Sequence, residues 1–424
     1  MGNTATKIKN QSYKAQWASI DTLLYQSRVL WQVMAFQCDT LPWDKEFPAL
    51  AKRVWQLEDA QLEALDKSPK DLLLALLPAL QEDCQQSDLS WDLSLLSHML
   101  IPLESAIQSD IPLLPSSDEA HFSAHIKGRK WQQIKAFSQS VFGALSYRQL
   151  PVLEWCAGKG HLGRLMAKAK GVRVLSLERQ NNLCQAGNTF AQKWALPQAF
   201  ICADAFSEGR EYIKEKQLAV ALHACGDLHI SLLKSATERN TQAIALSPCC
   251  YHLIKENLYH PLSKLAQMSD LQLSRHDLQL PLQHSVIASE KQNEYRLKEI
   301  AWRLGFDTLQ KQIRGSQDYL PVPSIKQSQL NGSFSEFCRW AAIQKGLILP
   351  DKVNFEALLH QGYERQRLTR RIDLVAHLFR GLLERWLLLD RVCFLQEAGY
   401  QVHLSRFCDV SMTPRNAFIM ASRQ

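Results

Sequence analysis

The 424-residue chain has no run of about 18 uninterrupted apolar residues, so no transmembrane helix is expected. Its opening, MGNTATKIKNQ, lacks the apolar stretch of a secretory signal. Gly2 and Thr6 fit the short M-G-x-x-x-S/T acylation pattern, but no second membrane signal follows them. There is no internal repeat and no low-complexity tract. The 11 cysteines are odd in number, scattered through apolar segments and never spaced C-x-x-C. That distribution argues against a disulfide framework and for a reducing, cytoplasmic setting. No long basic tail accompanies the net charge of +7, which permits an anionic partner without requiring one. At 46% hydrophobic and 21% charged residues, large-scale disorder is excluded, and the length implies two or three packed units.

Residues 1–115 read as a helical N-terminal region, with apolar spacing near the helical period over Trp17–Phe36, Phe47–Leu65 and Asp71–Gln81. Pro112, Pro115 and the Ser-Ser-Asp run mark a linker, and a helix follows around Lys127–Phe142. From Pro151 the pattern changes. Short apolar runs at Val152–Cys156, Arg173–Glu178, Phe200–Asp204, Val220–His223 and Ala243–Ser247 alternate with amphipathic segments at Leu162–Lys170, Asn182–Trp194, Glu208–Lys216 and Leu228–Glu238. Such alternation predicts a parallel sheet with helices on both faces. Residues 253–373 lose it and read as a mostly helical insertion after the fifth strand. A helix over Asp373–Ala398, stopped by Gly399, then leads into strands Gln401–Phe407 and Ala417–Ser422. The predicted fold is α/β: a Rossmann-like, seven-stranded sheet of the class I methyltransferase kind, built from residues 116–252 and 374–424.

The strongest motif is Leu153-Glu154-Trp155-Cys156-Ala157-Gly158-Lys159-Gly160-His161-Leu162-Gly163-Arg164. An apolar strand enters a glycine loop that opens a helix, whose free N–H groups suit an anionic ligand group. Gly163 completes a G-x-G-x-x-G, so this loop alone fits a dinucleotide as well. Glu154 inside the strand favours S-adenosylmethionine (SAM), because class I methyltransferases place an acidic residue there. Glu178 ends the second strand, where a carboxylate can accept from ribose hydroxyls, and Asp204 ends the third, where this fold holds the adenine amine. The cofactor residues are thus Glu154, Cys156, Ala157, Gly158, Gly160, Leu162, Glu178, Asp204, Ala205 and His223. Glu178 and Asp204 can also be read as ordinary helix caps or loop charges.

EWCAGKGHLGR, HACGDL, SPCCYH and TPRN resemble motifs of a divergent SAM-dependent methyltransferase family. That family includes the glutathione S-transferase C-terminal-domain-containing protein and methyltransferase-like relatives. A more distant similarity is to eukaryotic tRNA 2′-O-methyltransferases, which carry His-x-Cys-Gly and Cys-Cys-His-His elements. The resemblance covers about residues 120–255 and 375–424, and it implies methyl transfer from SAM. Tyr251 stands where the RNA enzymes have the first His of the second element, and their N-terminal zinc-binding clusters are absent.

The acceptor should sit at the carboxyl ends of the fourth and fifth strands, where His223-Ala224-Cys225-Gly226-Asp227 and Pro248-Cys249-Cys250-Tyr251-His252 follow. The candidate catalytic residues are His223, Asp227, Cys250, Tyr251 and His252, with His223 or His252 as base. No N/D-P-P-Y/F element follows the fourth strand, which speaks against exocyclic-amine methylation. A covalent route through cysteine ranks below base assistance, since the fourth-strand loop reads His-Ala-Cys-Gly. Asp227 as a helix cap and Cys250 as a packed hydrophobe are the plainer alternatives. No metal site is expected, because adjacent Cys249 and Cys250 would point apart on an extended backbone. Arg365, Arg367, Arg370 and Arg371 form a cluster that either grips phosphate or lines a solvated helix. The reading is a methyltransferase acting on a macromolecule, RNA ahead of protein. The rivals are a SAM-binding scaffold without turnover and, below it, a nucleotide-dependent oxidoreductase. No membrane partner is expected.

Overall fold

Seven strands form one sheet in the order β3-β2-β1-β4-β5-β7-β6. They are β1 Val152–Trp155, β2 Val174–Glu178, β3 Gln198–Cys202, β4 Leu218–Ala221, β5 Ala243–Leu246, β6 Gln401–Arg406 and β7 Ala417–Ser422. The computed structural model describes residues 12–109, 112–145, 149–283 and 290–423; Gly2 and Thr6 lie outside these. β1 pairs in parallel with β2 and β4, in register Val152↔Val174 and Val152↔Leu218. β7 alone runs antiparallel to both its neighbours, β5 and β6. The central strands VLEW, LAVA and AIAL are buried throughout, as strands covered on both faces must be. Edge strand β6 instead alternates, with Val402 and Leu404 inward.

Four helices accompany the sheet, and the first two share an apolar core with it. They are α1 Gly128–Ala144, α2 His161–Lys170, α3 Asn181–Lys193 and α4 Asp227–Glu238. Trp131 and Phe137 of α1, Leu165 and Met166 of α2, and Val220 and Phe418 of the sheet belong to one buried cluster. A fifth helix, α5 Arg380–Glu397, precedes β6.

The chain packs as two compact units. One comprises Met1–Asp21, Ile101–Gln279 and Glu384–Gln424; the other comprises Thr22–Leu100 and Leu280–Leu383. This revises the division read from the sequence in three ways. The linker expected near Pro112 does not separate the seven-stranded sheet from what precedes it. Arg406 N–H donates to the Glu104 carbonyl and Ala106 N–H to the Arg406 carbonyl, both at 2.8 Å, so residues 101–109 lie along β6. Leu253–Gln279 belongs with the sheet, because Asp390 accepts from Leu262 N–H and Ser263 N–H at 2.9 and 2.8 Å. The early helices and the insertion pack together as one helical unit, pinned by Arg371, which donates to the Val54 and Leu57 carbonyls at 3.0 and 2.7 Å. Its second apolar cluster gathers Trp302, Phe306, Phe334 and Phe337. The single helix expected over Asp373–Ala398 is two, Phe355–Ala376 and α5, joined by a 3₁₀ turn at His377–Phe379. Among the described residues, no helix is long and apolar enough to cross a membrane.

Candidate active site

The loop after β1 takes left-handed backbone at Cys156 (φ 57°), Gly158 (φ 60°) and Gly160 (φ 66°). Ala157 N–H donates to the Leu177 carbonyl at 2.9 Å, holding the loop to β2. Gly158 N–H donates to Glu178 Oε2 at 2.9 Å, and Gln180 N–H donates to Glu178 Oε1 at 2.9 Å. Each oxygen retains a lone pair for a further donor. The two glycines do different work. A Cβ on Gly158 would meet nothing within 4 Å, whereas one on Gly160 would stand 2.3 Å from the Phe200 ring and 2.5 Å from the Gln198 amide. Gly160 is a packing requirement; Gly158 opens onto free space. Burial pushes the Cys156 thiol up to about 12, with the charges of Glu178, Cys225 and Asp204 adding to it.

Glu154 and Leu162 are placed differently from the direct-contact expectation. Glu154 is only 4% exposed and accepts from Ser176 Oγ at 2.7 Å. Burial raises its pKa to about 7, against hydrogen bonds from Ser176 and from the Gly163 and Leu162 backbone. It braces the first turn of α2 from beneath the loop. The Leu162 side chain lies in the apolar core. Sequence reading also missed Gln198, which donates to the Gly160 carbonyl at 3.1 Å and to Ser176 Oγ at 2.9 Å. Nothing in its spacing announces that role. Asp204 stands two residues beyond β3, where Oδ1 accepts from Phe206 N–H at 2.8 Å. Ala205 is buried, and its carbonyl accepts from Ser231 Oγ at 3.0 Å.

The loops after β4 and β5 meet, as expected. Cys225 and Cys249 form a parallel bridge. Asp227 ties the two loops together: its N–H donates to the Leu253 carbonyl at 3.0 Å and its Oδ2 accepts from Lys255 N–H at 2.6 Å. His223 is exposed, yet protein crowds its ring. That crowding, with the Lys130 and Arg415 charges, holds it below the usual imidazole range, so it is neutral near pH 7. His252 is half-buried and shifted the same way by burial and by Arg415, and its Nδ1 is buried with no protein partner. Arg415 of the TPRN element thus acts electrostatically on both histidines.

Tyr251 does not fit a catalytic part. It is 1% exposed, packs edge-on to His229 with ring centroids 6.4 Å apart, and lies under the Arg391 guanidinium. The expectation that Cys249 and Cys250 point apart also fails. Cys250 has φ 49°, so the pair is not extended, and the sulfurs of Cys225, Cys249 and Cys250 lie within 4.8 Å of one another. Cys225 is the thiol most easily ionised, because Cys249 and Cys250 hydrogen-bond to it; Cys249 is raised correspondingly.

Residues 129–257, from α1 through the loops after β4 and β5, match the family model described as a methyltransferase domain. That stretch, with β1 to β5 of the sheet inside it, is similar to a methyltransferase domain. Among solved structures, magnesium protoporphyrin IX methyltransferase (ChlM) from Synechocystis PCC 6803 with bound SAM is 12% identical, with a TM-score of 0.25, over 31% of this chain and 68% of that one. TehB from Haemophilus influenzae is 16% identical, with a TM-score of 0.24, over 30% of this chain and 44% of that one. The SAM-dependent methyltransferase from Agrobacterium tumefaciens is 16% identical, with a TM-score of 0.24, over 29% and 45%. This chain therefore spans less than half the length of the latter two. The residues around the loop after β1 fit the SAM expected from the sequence: the space beyond Gly158 is open, and Glu178 keeps lone pairs for hydroxyl donors.

Proposed function

We propose that the domain methylates a macromolecular acceptor, RNA ahead of protein, at the loops after β4 and β5. SAM, when bound, supplies an electrophilic methyl group. In this reading Glu178 holds the ribose hydroxyls, the backbone of Cys156–Gly160 holds the amino-acid end, and Asp204 with Ala205 lies on the adenine side. His223 takes the proton from the acceptor, and His252 is the second candidate for that task. Asp227 positions the loops rather than touching the acceptor, and Cys250 belongs to the sulfur cluster beside them.

The observation that carries this reading is an exposed histidine kept neutral beside two cations, Lys130 and Arg415. A neutral imidazole can accept a proton, and flanking cations suit an acceptor whose surroundings are anionic, as a phosphodiester backbone is. The resemblance of HACGDL to the His-x-Cys-Gly element of tRNA 2′-O-methyltransferases supports a hydroxyl acceptor. The test uses methyl-labelled SAM with total RNA and total protein from a strain lacking this chain. Label should enter RNA, and Lys130→Glu with Arg415→Glu should reduce it. Label confined to protein would overturn the RNA assignment. SAM binding without label in either would favour a scaffold.

A further inference from the structure

The sulfurs of Cys225, Cys249 and Cys250 all lie within 4.8 Å of one another, and those of Cys225 and Cys249 are 3.3 Å apart. Three features of the backbone gather them. The Cys225↔Cys249 bridge, with Gly226 N–H donating to the Cys249 carbonyl at 3.2 Å, sets two of the three side by side. Gly226 lets the second loop close over the first, since a Cβ there would stand 2.0 Å from the Leu253 carbonyl oxygen. Cys250 adopts φ 49°, a region that non-glycine residues avoid, and an extended backbone would send its side chain to the face opposite Cys249. A strained position that collects a third sulfur is a specific arrangement, whereas packing alone would be served by relaxed backbone.

We propose that Cys225, Cys249 and Cys250 bind a zinc ion as three thiolates, leaving one coordination position for an exogenous ligand. Zinc–thiolate bonds of about 2.3 Å in tetrahedral geometry separate the sulfurs by about 3.8 Å. The observed spacing brackets that distance, so small side-chain rotations suffice. Soft thiolates select zinc over the oxygen-seeking cations. Each thiol that enters as S–H loses its proton to solvent on binding. No fourth His, Cys or carboxylate joins the three among the described residues. Three protein ligands with an open position is the pattern of a ligand-exchanging zinc site, and four that of a closed structural one. Cys225 and Cys250 are half-buried and Cys249 is buried, so the cluster is reachable from one side. This inference does not rest on the acceptor proposed above; the metal is read out directly.

The experiment loads the full-length protein with zinc, removes loose metal on a chelating resin, and measures zinc per chain by mass spectrometry. One zinc per chain is expected, lost in Cys225→Ser and Cys249→Ser and kept in Cys38→Ser, a cysteine of the other unit. Cobalt replacing zinc should give a sulfur-to-metal charge-transfer band of three-thiolate intensity, which does not depend on any variant folding. Adding a small thiol should shift the ligand-field bands as it enters the open position. Zinc retention equal in the wild type and the triple serine variant would overturn the site, as would a cobalt spectrum without thiolate charge transfer. A Cys225–Cys249 disulfide in metal-free protein prepared under reducing conditions would also overturn it. If the thiol causes no shift until His252→Ala is introduced, His252 fills the fourth place and the open position is wrong.

Discussion

Arg391 donates its Nε–H to Nε2 of His229 across 2.9 Å, and that one bond fixes the histidine's tautomer. With Nε2 accepting, Nδ1 carries the proton and donates to the Ala224 carbonyl at 3.0 Å. Ala224 lies between His223 and Cys225, so a residue on α5 holds the loop where the acceptor is proposed to sit. Arg391 also donates to the Tyr259 hydroxyl at 3.1 Å, and Tyr259 donates to Asp390 Oδ2 at 2.5 Å. Asp390 in turn accepts from Ser263 Oγ at 2.8 Å. All of these side chains are buried, so each polar atom depends on its partner.

Arg391→Met should therefore be costly. It removes the cation of a buried polar network and leaves His229 Nε2 and the Tyr259 hydroxyl without that donor. The expected loss is about 3–5 kcal/mol in urea denaturation. A change below about 1 kcal/mol would mean that the network holds the loop without stabilising the fold.

His229 also makes stability depend on pH. Burial, with the Arg391 charge, holds its pKa well below the ordinary 6.5, so the folded state keeps it neutral while the unfolded chain protonates it. Between those two values the unfolded state binds more protons, so stability present above pH 6.5 is lost as pH falls. His161, depressed by burial to about 3, acts in the same direction. Glu154, raised to about 7, opposes them: its contribution is lost as pH rises from 4.5 to 7. Each depressed histidine contributes up to about 1.4 kcal/mol per pH unit below its unfolded value. His229→Gln should flatten the slope between pH 6 and 5 by about that amount. An unchanged slope would mean that His229 is not the group that titrates.

The sheet was legible because β1, β4 and β5 are short apolar runs buried on both faces, and Glu178 ends β2 as read. What escaped depends on side chains far apart in sequence. Arg391 and His229 are 162 residues apart, and on α5 Arg391 reads as an ordinary helix charge. The sulfur cluster escaped because Cys250 departs from the extended backbone assumed for it. Amphipathic spacing announced that the early helices bury a face, but not that residues 280–383 would cover it.

Gly158→Ala and Gly160→Ala should separate binding from stability. At Gly160 the new methyl collides with the Phe200 ring and the Gln198 amide, an overpacking cost of about 1–3 kcal/mol added to left-handed strain. At Gly158 only the strain remains, about 1–2 kcal/mol, while the methyl enters the space assigned to SAM. Calorimetric SAM titration should therefore show the larger affinity loss for Gly158→Ala, and thermal melting the larger destabilisation for Gly160→Ala. The reverse order would place SAM elsewhere.

His223→Ala should lower turnover by about 10²–10⁴ while SAM affinity stays close to the wild type. Because the imidazole is held below its ordinary range, the base form persists as the solution is acidified. The acid limb of the pH–rate profile should then fall below pH 6.5, and Arg415→Ala should move it upward. An acid limb at an ordinary histidine value, unmoved by Arg415→Ala, would remove His223 from the role of base.

The arginine cluster offers the sharpest contrast between sequence and structure. Four arginines in YERQRLTRRIDL fit a phosphate-gripping face, but the structure gives most of them internal partners. Arg365 meets Asp307 at 2.7 Å and the Phe36 carbonyl at 2.9 Å. Arg370 donates to the Asp59 carbonyl at 3.0 Å. Arg371, 5% exposed, donates to the carbonyls of Val54, Leu57 and Arg367 and lies over the Trp55 ring at 4.6 Å. Arg367 is the exception, at 60% exposure, with Asp59 3.4 Å away. Arg371→Leu should destabilise the helical unit by about 1–3 kcal/mol for each buried carbonyl left without a donor. Arg367→Ala should stay within about 0.5 kcal/mol of the wild type. If RNA is bound, Arg371→Leu that remains folded should leave the slope of log affinity against log salt unchanged, since Arg371 contacts no phosphate. A flattened slope in that variant would return the cluster to the nucleic-acid interface, one of the two roles its sequence allows.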